Sequence, residues 1–214
     1  MGLLRLLLSE PQLFLLLVVP LLYSIIAHET AHGWCALAFG DDTAKRHGRL
    51  TLNPLRHLDP MGTLLLFLVG FGWAKPVPVN YRNIQQTRLG LFCVSLAGCA
   101  ANILIAAMAI FALQARLVSL DSIFAAVLGI VARINIMLGA FNLIPIPPLD
   151  GSKLLTSLLP LGAQQRLARF ERYGFLILVL LLFAGWLDPL ITLMEQLIYT
   201  AMGLLFGNAA RQVI

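Results

Sequence analysis

The chain has 214 residues, of which 59% are hydrophobic and only 12% charged, with a formal net charge of +5. A mean hydropathy of +0.87 is too high for a soluble domain of this size, so a multi-pass membrane protein is expected. The cations fall almost wholly in connecting segments with no basic patch interleaved with aromatics, which fits orientation in a lipid bilayer and argues against nucleic-acid binding.

Residues 1–10 are too few to cross a bilayer. Arg5 precedes an apolar run, but no A-x-A-like site lies before His28, so the run reads as an uncleaved span rather than a signal peptide. Leu6 stands where a myristoylation signal needs Ser or Thr. The first span is predicted over about 11–39, kinked by Pro20 and ended by Gly40.

Near its end lies H-E-T-A-H, residues 28–32. On a helix His28 and His32 sit one turn apart and about 40° around the axis, so both imidazoles can reach one ion. Glu29 lies beside them, the arrangement in which two histidines bind zinc and the glutamate acts as general base. The same pattern arises by chance in long chains, where a lone histidine on an apolar face is usually a satisfied core group. Membrane depth changes that balance, because each ionisable residue there costs about 3 kcal/mol on insertion scales and calls for a partner. A metal ion supplies one.

Residues 41–60 are polar and carry Lys45, Arg46, Arg49 and Arg56, with an alternating stretch, Arg49 to Asn53, that reads as a short strand. Residues 61–74 are apolar but too short for a span, which suits a re-entrant or β-hairpin element packed against protein. A proline-stiffened extended loop follows over 75–88. The second core span, about 89–115, contains the small residues Gly98, Ala100 and Ala101, which permit close helix approach. After a short exit, a third over about 123–144 carries Arg133, Asn135 and Asn142, which must face protein or water.

The run N-L-I-P-I-P-P-L-D-G, residues 142–151, has too many prolines for a helix and stays at membrane depth only by lining a cavity or site. Helix should resume from Lys153 to Pro160 within a peripheral segment at 147–160. Residues 164–172 read as a basic connection, and 173–206 as an apolar segment broken at Asp188–Pro189, either one helix or two. Cys35, Cys93 and Cys99 have no C-x-x-C spacing and read as small packing residues. The expected fold is therefore a single all-α polytopic domain over 1–214, a bundle of about five to six membrane segments with the short re-entrant or β-hairpin element after the first core helix.

Charge sets the orientation. Lys45, Arg46, Arg49, Arg56, Lys75, Arg82 and Arg88, with Arg166, Arg169 and Arg172, place their connections in the cytosol, and the 116–121 turn lies outside. His32 and Asp150 then both fall toward the cytosolic side of the cell membrane. A catalytic zinc takes three protein ligands, so H-E-x-x-H leaves one to find. Asp150 leads the candidates, with Gly151 after it allowing a sharp turn, although an Asp–Gly pair by itself reads as a loop turn. Glu171 and Glu195 are the rivals.

H-E-T-A-H in a first core helix together with N-L-I-P-I-P-P-L-D-G in a later segment resembles the site-2 protease family of intramembrane zinc metalloproteases. The likeness extends through G-R-L-T-L-N-P at 48–54 and G-W-A-K-P-V-P-V-N at 72–80, segments similar to those of compact bacterial and archaeal members. The resemblance implies one zinc bound by His28, His32 and Asp150, Glu29 as base, and Asn142 near the metal holding substrate or oxyanion. It implies hydrolysis of peptide bonds within or near transmembrane helices of protein substrates in the bilayer, and leaves a homo-oligomer open. Members often read A-G-P-x-x-N where this chain has Ala97, Gly98, Cys99, Ala100, Ala101 and Asn102, so a local kink is in question. No stretch has room for a PDZ-like or nucleotide-sensing domain, and the span preceding the metal helix in some relatives is missing.

Other readings stay open on the residues alone: an inactive membrane zinc protein with a regulatory role, a transporter, or a zinc peptidase of another lineage. Glu29 argues against the first, since a binding-only site needs no base. The two halves show no matching interrupted segments, against the second.

Overall fold

The computed structural model describes residues 3–69, 72 and 74–206. Its regular elements among those residues are helices: α1 Leu3–Ser9, α2 Pro11–Ala38, α3 Thr43–Arg46, α4 Pro60–Val69, α5 Thr87–Gln114, α6 Ile123–Asn142, α7 Asp150–Leu158, α8 Leu161–Phe183 and α9 Asp188–Phe206. Four of them, α2, α5, α6 and α9, are long and apolar enough to cross a membrane, with mean hydropathies of 1.9, 2.3, 2.1 and 1.4. The chain is thus a polytopic all-α membrane protein. Leu104, Phe111, Phe124, Leu176 and Phe183 lie exposed on its outer surface, where lipid would cover them.

Local sequence explains the ends of these elements. Pro11 occupies the first turn of α2, where its missing N–H is no loss. Pro20 lies inside α2, which continues past it to Ala38. Gly40 then takes φ +98°, while its N–H donates to Leu37 and that of Asp41 to Ala36, a Schellman ending. The same device stops α8. Gly185 adopts φ +69° and the N–H groups of Gly185 and Trp186 donate to Leu182 and Leu181. Asp188 and Pro189 open α9, so the apolar segment 173–206 is divided between two helices.

α5 is the centre of the bundle, packed against α2, α6 and α7. Its Ala106, Ala109 and Ile110 meet Ala132, Ile136 and Ala140 of α6, closed over by Ile198 and Met202 of α9. Alanines on both faces let the helix backbones approach closely. Ile144 and Leu149 of the proline-rich segment pack with Leu178 of α8 and Leu187, which seats that segment against the bundle.

Some expectations change. Arg49 to Asn53 forms no strand; the Thr51 carbonyl is taken by the His57 ring at 2.8 Å and Asn53 caps the 3-10 turn Pro54–Arg56. Among the described residues, pairing in this region is an isolated antiparallel bridge between Leu58 and Ala74 that closes the excursion through α4. Residues 164–172 lie inside α8 rather than in a connection, since Gln, Arg, Leu, Ala and Glu are good helix formers with no breaker among them. Of the polar groups of α6, Arg133 is exposed and Asn135 is fully buried.

Asp41, fully buried just past α2, ties the extended loop to that helix. It accepts hydrogen bonds from the Thr43 hydroxyl and N–H, the Asn80 N–H at 2.7 Å and the Asn83 side-chain amide at 3.0 Å. Burial pushes its carboxyl upward, but these donors outweigh burial and hold it below the ordinary value. A depressed folded value stabilises the protein above about pH 4, where unfolded Asp is ionised, and this contribution is lost as pH falls through the folded value. Asp41→Asn should therefore lower the thermal midpoint at pH 7 and flatten its acid dependence below about pH 4, in melts followed by circular dichroism.

Candidate metal centre

α2 presents His28 and His32 one turn apart with Glu29 next to His28, α5 packs beside this helix, and α7 begins with Asp150. The Nε2 atoms of His28 and His32 are 3.1 Å apart, and each is 2.9 Å from Oδ2 of Asp150. All three side chains are buried. Among the described residues they are the one group of three or more His, Cys, Asp or Glu placed to share an ion. Helix α7 thus starts three residues earlier than Lys153, and Asp150 lies in its first turn, where the helix dipole favours a carboxylate.

The proton positions of this cluster follow from its surroundings. His32 Nδ1 lies 2.6 Å from the Val94 carbonyl, which can only accept, so Nδ1 carries a proton and Nε2 is the nitrogen turned to Asp150. For His28 the same conclusion runs through a chain of amides. The Val131 carbonyl accepts from Asn135 Nδ2 at 2.8 Å, which turns Asn135 Oδ1 to Asn102 Nδ2 at 2.7 Å. Asn102 Oδ1 is then the atom 2.6 Å from His28 Nδ1, so that nitrogen is the donor. Ser24 accepts at its hydroxyl from Asn135 at 2.7 Å and closes the network.

With both Nδ1 atoms committed to acceptors outside the cluster, two imidazole Nε2 atoms and a carboxylate oxygen converge on one point, an arrangement that suits a cation. Zinc with bonds of about 2.0–2.2 Å to N and O would hold such donors about 3.3 Å apart at tetrahedral angles, close to the spacing present. Two nitrogens and one oxygen also form the donor class of catalytic zinc sites. The residues fit one zinc ion.

Three comparisons bear on this centre. The family description "Peptidase family M50" matches residues 114–185, a stretch that contains α6, Asp150 and α8. The chain is 42% identical over 176 residues to a Bacillus subtilis protein provisionally named zinc metalloprotease YwhC, covering 77% of this chain and 78% of that one. It belongs to peptidase family M50. Two mycobacterial proteins, each provisionally named zinc metalloprotease Rip2, are also similar. That of Mycolicibacterium smegmatis is 32% identical over 82% of this chain and 69% of its own, and that of Mycobacterium tuberculosis (strain H37Rv) 29% identical over 81% and 70%. No solved structure matches the chain.

In this M50 peptidase, Glu29 lies beside the cluster without joining it, and its Oε2 accepts the Val77 N–H at 2.9 Å. The extended run Lys75 to Asn80 is thereby fastened against the centre. Asn142 ends α6 and its Nδ2 donates to the Leu138 carbonyl at 2.9 Å, without a hydrogen bond to the cluster. Neither rival carboxylate joins: Glu195 is on α9, and Glu171 lines a cavity of about 260 Å3 with Tyr81 and Lys153. The Lys153 ammonium lies 3.9 Å from Oδ1 of Asp150, the oxygen turned away from the histidines. Cys99 is buried inside an unbroken α5, and all three cysteines are free thiols.

Sequence reasoning missed the amide network. Asn135 reads as a group that must face protein, and Asn102 stands out only through the resemblance. Ser24 and His28, four apart on one face of α2, carry the signal that joins them. Asn102→Ala should weaken zinc binding by roughly 10–100-fold, the usual cost of losing an outer-shell partner of a ligating histidine. Zinc competition titration in detergent checks this, with Asn102→Asp, which keeps the acceptor, expected to bind more tightly than Asn102→Ala.

Proposed function

We propose that this chain is an intramembrane zinc metalloendopeptidase that hydrolyses peptide bonds within or near transmembrane helices of other membrane proteins. The observation that carries the reading is the meeting of two imidazole nitrogens and a carboxylate oxygen beside Glu29, one of whose carboxylate oxygens is outside its bond from Val77, on a helix of membrane-spanning length. His28, His32 and Asp150 would hold the metal. The chemistry zinc supplies when bound is Lewis acidity, which readies a water for attack near neutral pH.

Glu29 takes the proton of the attacking water and returns it to the leaving amine. Its bond from Val77 fixes one carboxylate oxygen and leaves the other for the proton. Asn142 stabilises the developing oxyanion, which requires its side chain to exchange the Leu138 carbonyl for the substrate. A helical substrate must unwind before its peptide bonds can be reached. The run Lys75 to Asn80, held at Glu29 through Val77, is where an extended segment would lie.

The reading places residues 1–214 in one membrane domain of the cell membrane with the centre toward the cytosol, supported by the basic connections 41–60 and 75–88. The test is cleavage of a model transmembrane protein by the purified enzyme in vesicles, with the products mapped by mass spectrometry. Cuts within or next to the apolar segment are expected; cuts confined to distant soluble regions would defeat the intramembrane reading.

A further inference from the structure

Away from the metal centre, a cleft of about 420 Å3 is lined by His47, Arg49, Arg56 and Lys75 with Leu55 and Leu58, and none of its lining residues is acidic. Arg49 is the informative group. It is 7% exposed, and one guanidinium nitrogen donates to the Lys75 carbonyl at 2.6 Å. Its Nε is buried with no hydrogen-bond partner. A buried charged donor left unpaired is costly, and the guanidinium fork matches the oxygens of a phosphate or carboxylate. Glu29 is the acid whose charge reaches Arg49, but it is engaged by Val77.

The surface around the cleft indicates which anion. Leu52, Leu55 and Leu58 are 59%, 78% and 37% exposed, and Arg56 and Lys75 are exposed beside them. Apolar side chains bare to the surroundings next to cations suit the boundary between headgroups and acyl chains. The connection carries the positive charge that orients toward the cytosolic leaflet, where anionic lipids gather. We propose that this cleft binds the phosphate of an anionic phospholipid, with Arg49, Arg56 and Lys75 holding the phosphate and Leu55 and Leu58 covering the start of the acyl chains. The site rests on the membrane orientation proposed above and shares Lys75 with the run where the substrate would lie.

The test places the full chain in nanodiscs of equimolar phosphatidylglycerol and phosphatidylcholine, and counts lipid retained after extraction by native mass spectrometry. Wild type should retain phosphatidylglycerol preferentially. Arg56→Gln with Lys75→Gln, both exposed and outside the metal centre, should reduce that preference by about fivefold per lost cation. Arg49→Gln should do the same where circular dichroism shows it folded. Preference that survives millimolar inorganic phosphate assigns the site to the lipid, whereas displacement by phosphate assigns the same chemistry to the free ion. Equal retention of the two lipids, or a preference unchanged in the double variant, overturns the proposal. Displacement by an acidic substrate peptide but not by phosphate gives the cleft to the substrate and overturns it as well.

Discussion

Glu29→Gln should abolish cleavage while leaving zinc bound. Glutamine keeps the volume of the side chain and an oxygen that can still accept the Val77 N–H, so the fastening of the extended run survives. It cannot take a proton at neutral pH. Loss of a positioned general base removes roughly 10²- to 10⁴-fold of rate, and the upper end applies where the same group also returns the proton to the leaving amine. His28, His32 and Asp150 meet without Glu29, so zinc content should stay at one per chain. The check pairs substrate turnover with elemental analysis of the same preparation. A variant that cuts at the wild-type rate removes Glu29 from the chemistry. One that loses zinc and activity together makes it a structural prop for the Val77 loop instead.

Gly98→Ala is expected to dismantle the centre at its ligand atoms. A Cβ at position 98 would lie 2.4 Å from Nε2 of His32 and 2.6 Å from Nε2 of His28, far inside van der Waals contact. Neither ring can yield easily. His32 is tied to the Val94 carbonyl and His28 to Asn102, so relief requires breaking those bonds or separating α2 from α5. The loss of zinc affinity should exceed the roughly 10–100-fold that accompanies removal of an outer-shell partner. Competition titration gives the affinity, and circular dichroism shows that the helices persist. Unchanged affinity would mean that the two helices are not held together as described.

Much of this was legible in the sequence. The three core spans, the short excursion after the first and the H-E-x-x-H face of α2 follow from hydropathy and helical spacing, which act locally. Asp150 is harder, because its meeting with His28 and His32 depends on how α7 docks on α5; the count of zinc ligands and the charge asymmetry made it the leading candidate, and the resemblance supplied the pairing. Gly98 reads as one small residue among several. Its place under both imidazoles is a fact of helix crossing that no single-helix pattern contains. Gly151 was expected to serve a sharp turn, yet its requirement is space, since a Cβ there would meet the Leu143 carbonyl oxygen at 2.2 Å. Residues 164–172 misled because charge density suggested a connection, while their helix-forming tendency carried α8 straight through them.

Asp150, the third ligand, decides whether the centre exists as described. Purified in detergent without added metal, the wild-type chain should carry one zinc and cleave its substrate. Asp150→Ala should have neither zinc nor activity, with its helical content intact, and Glu171→Ala should keep both. Zinc retained by Asp150→Ala and lost from Glu171→Ala would contradict the centre described.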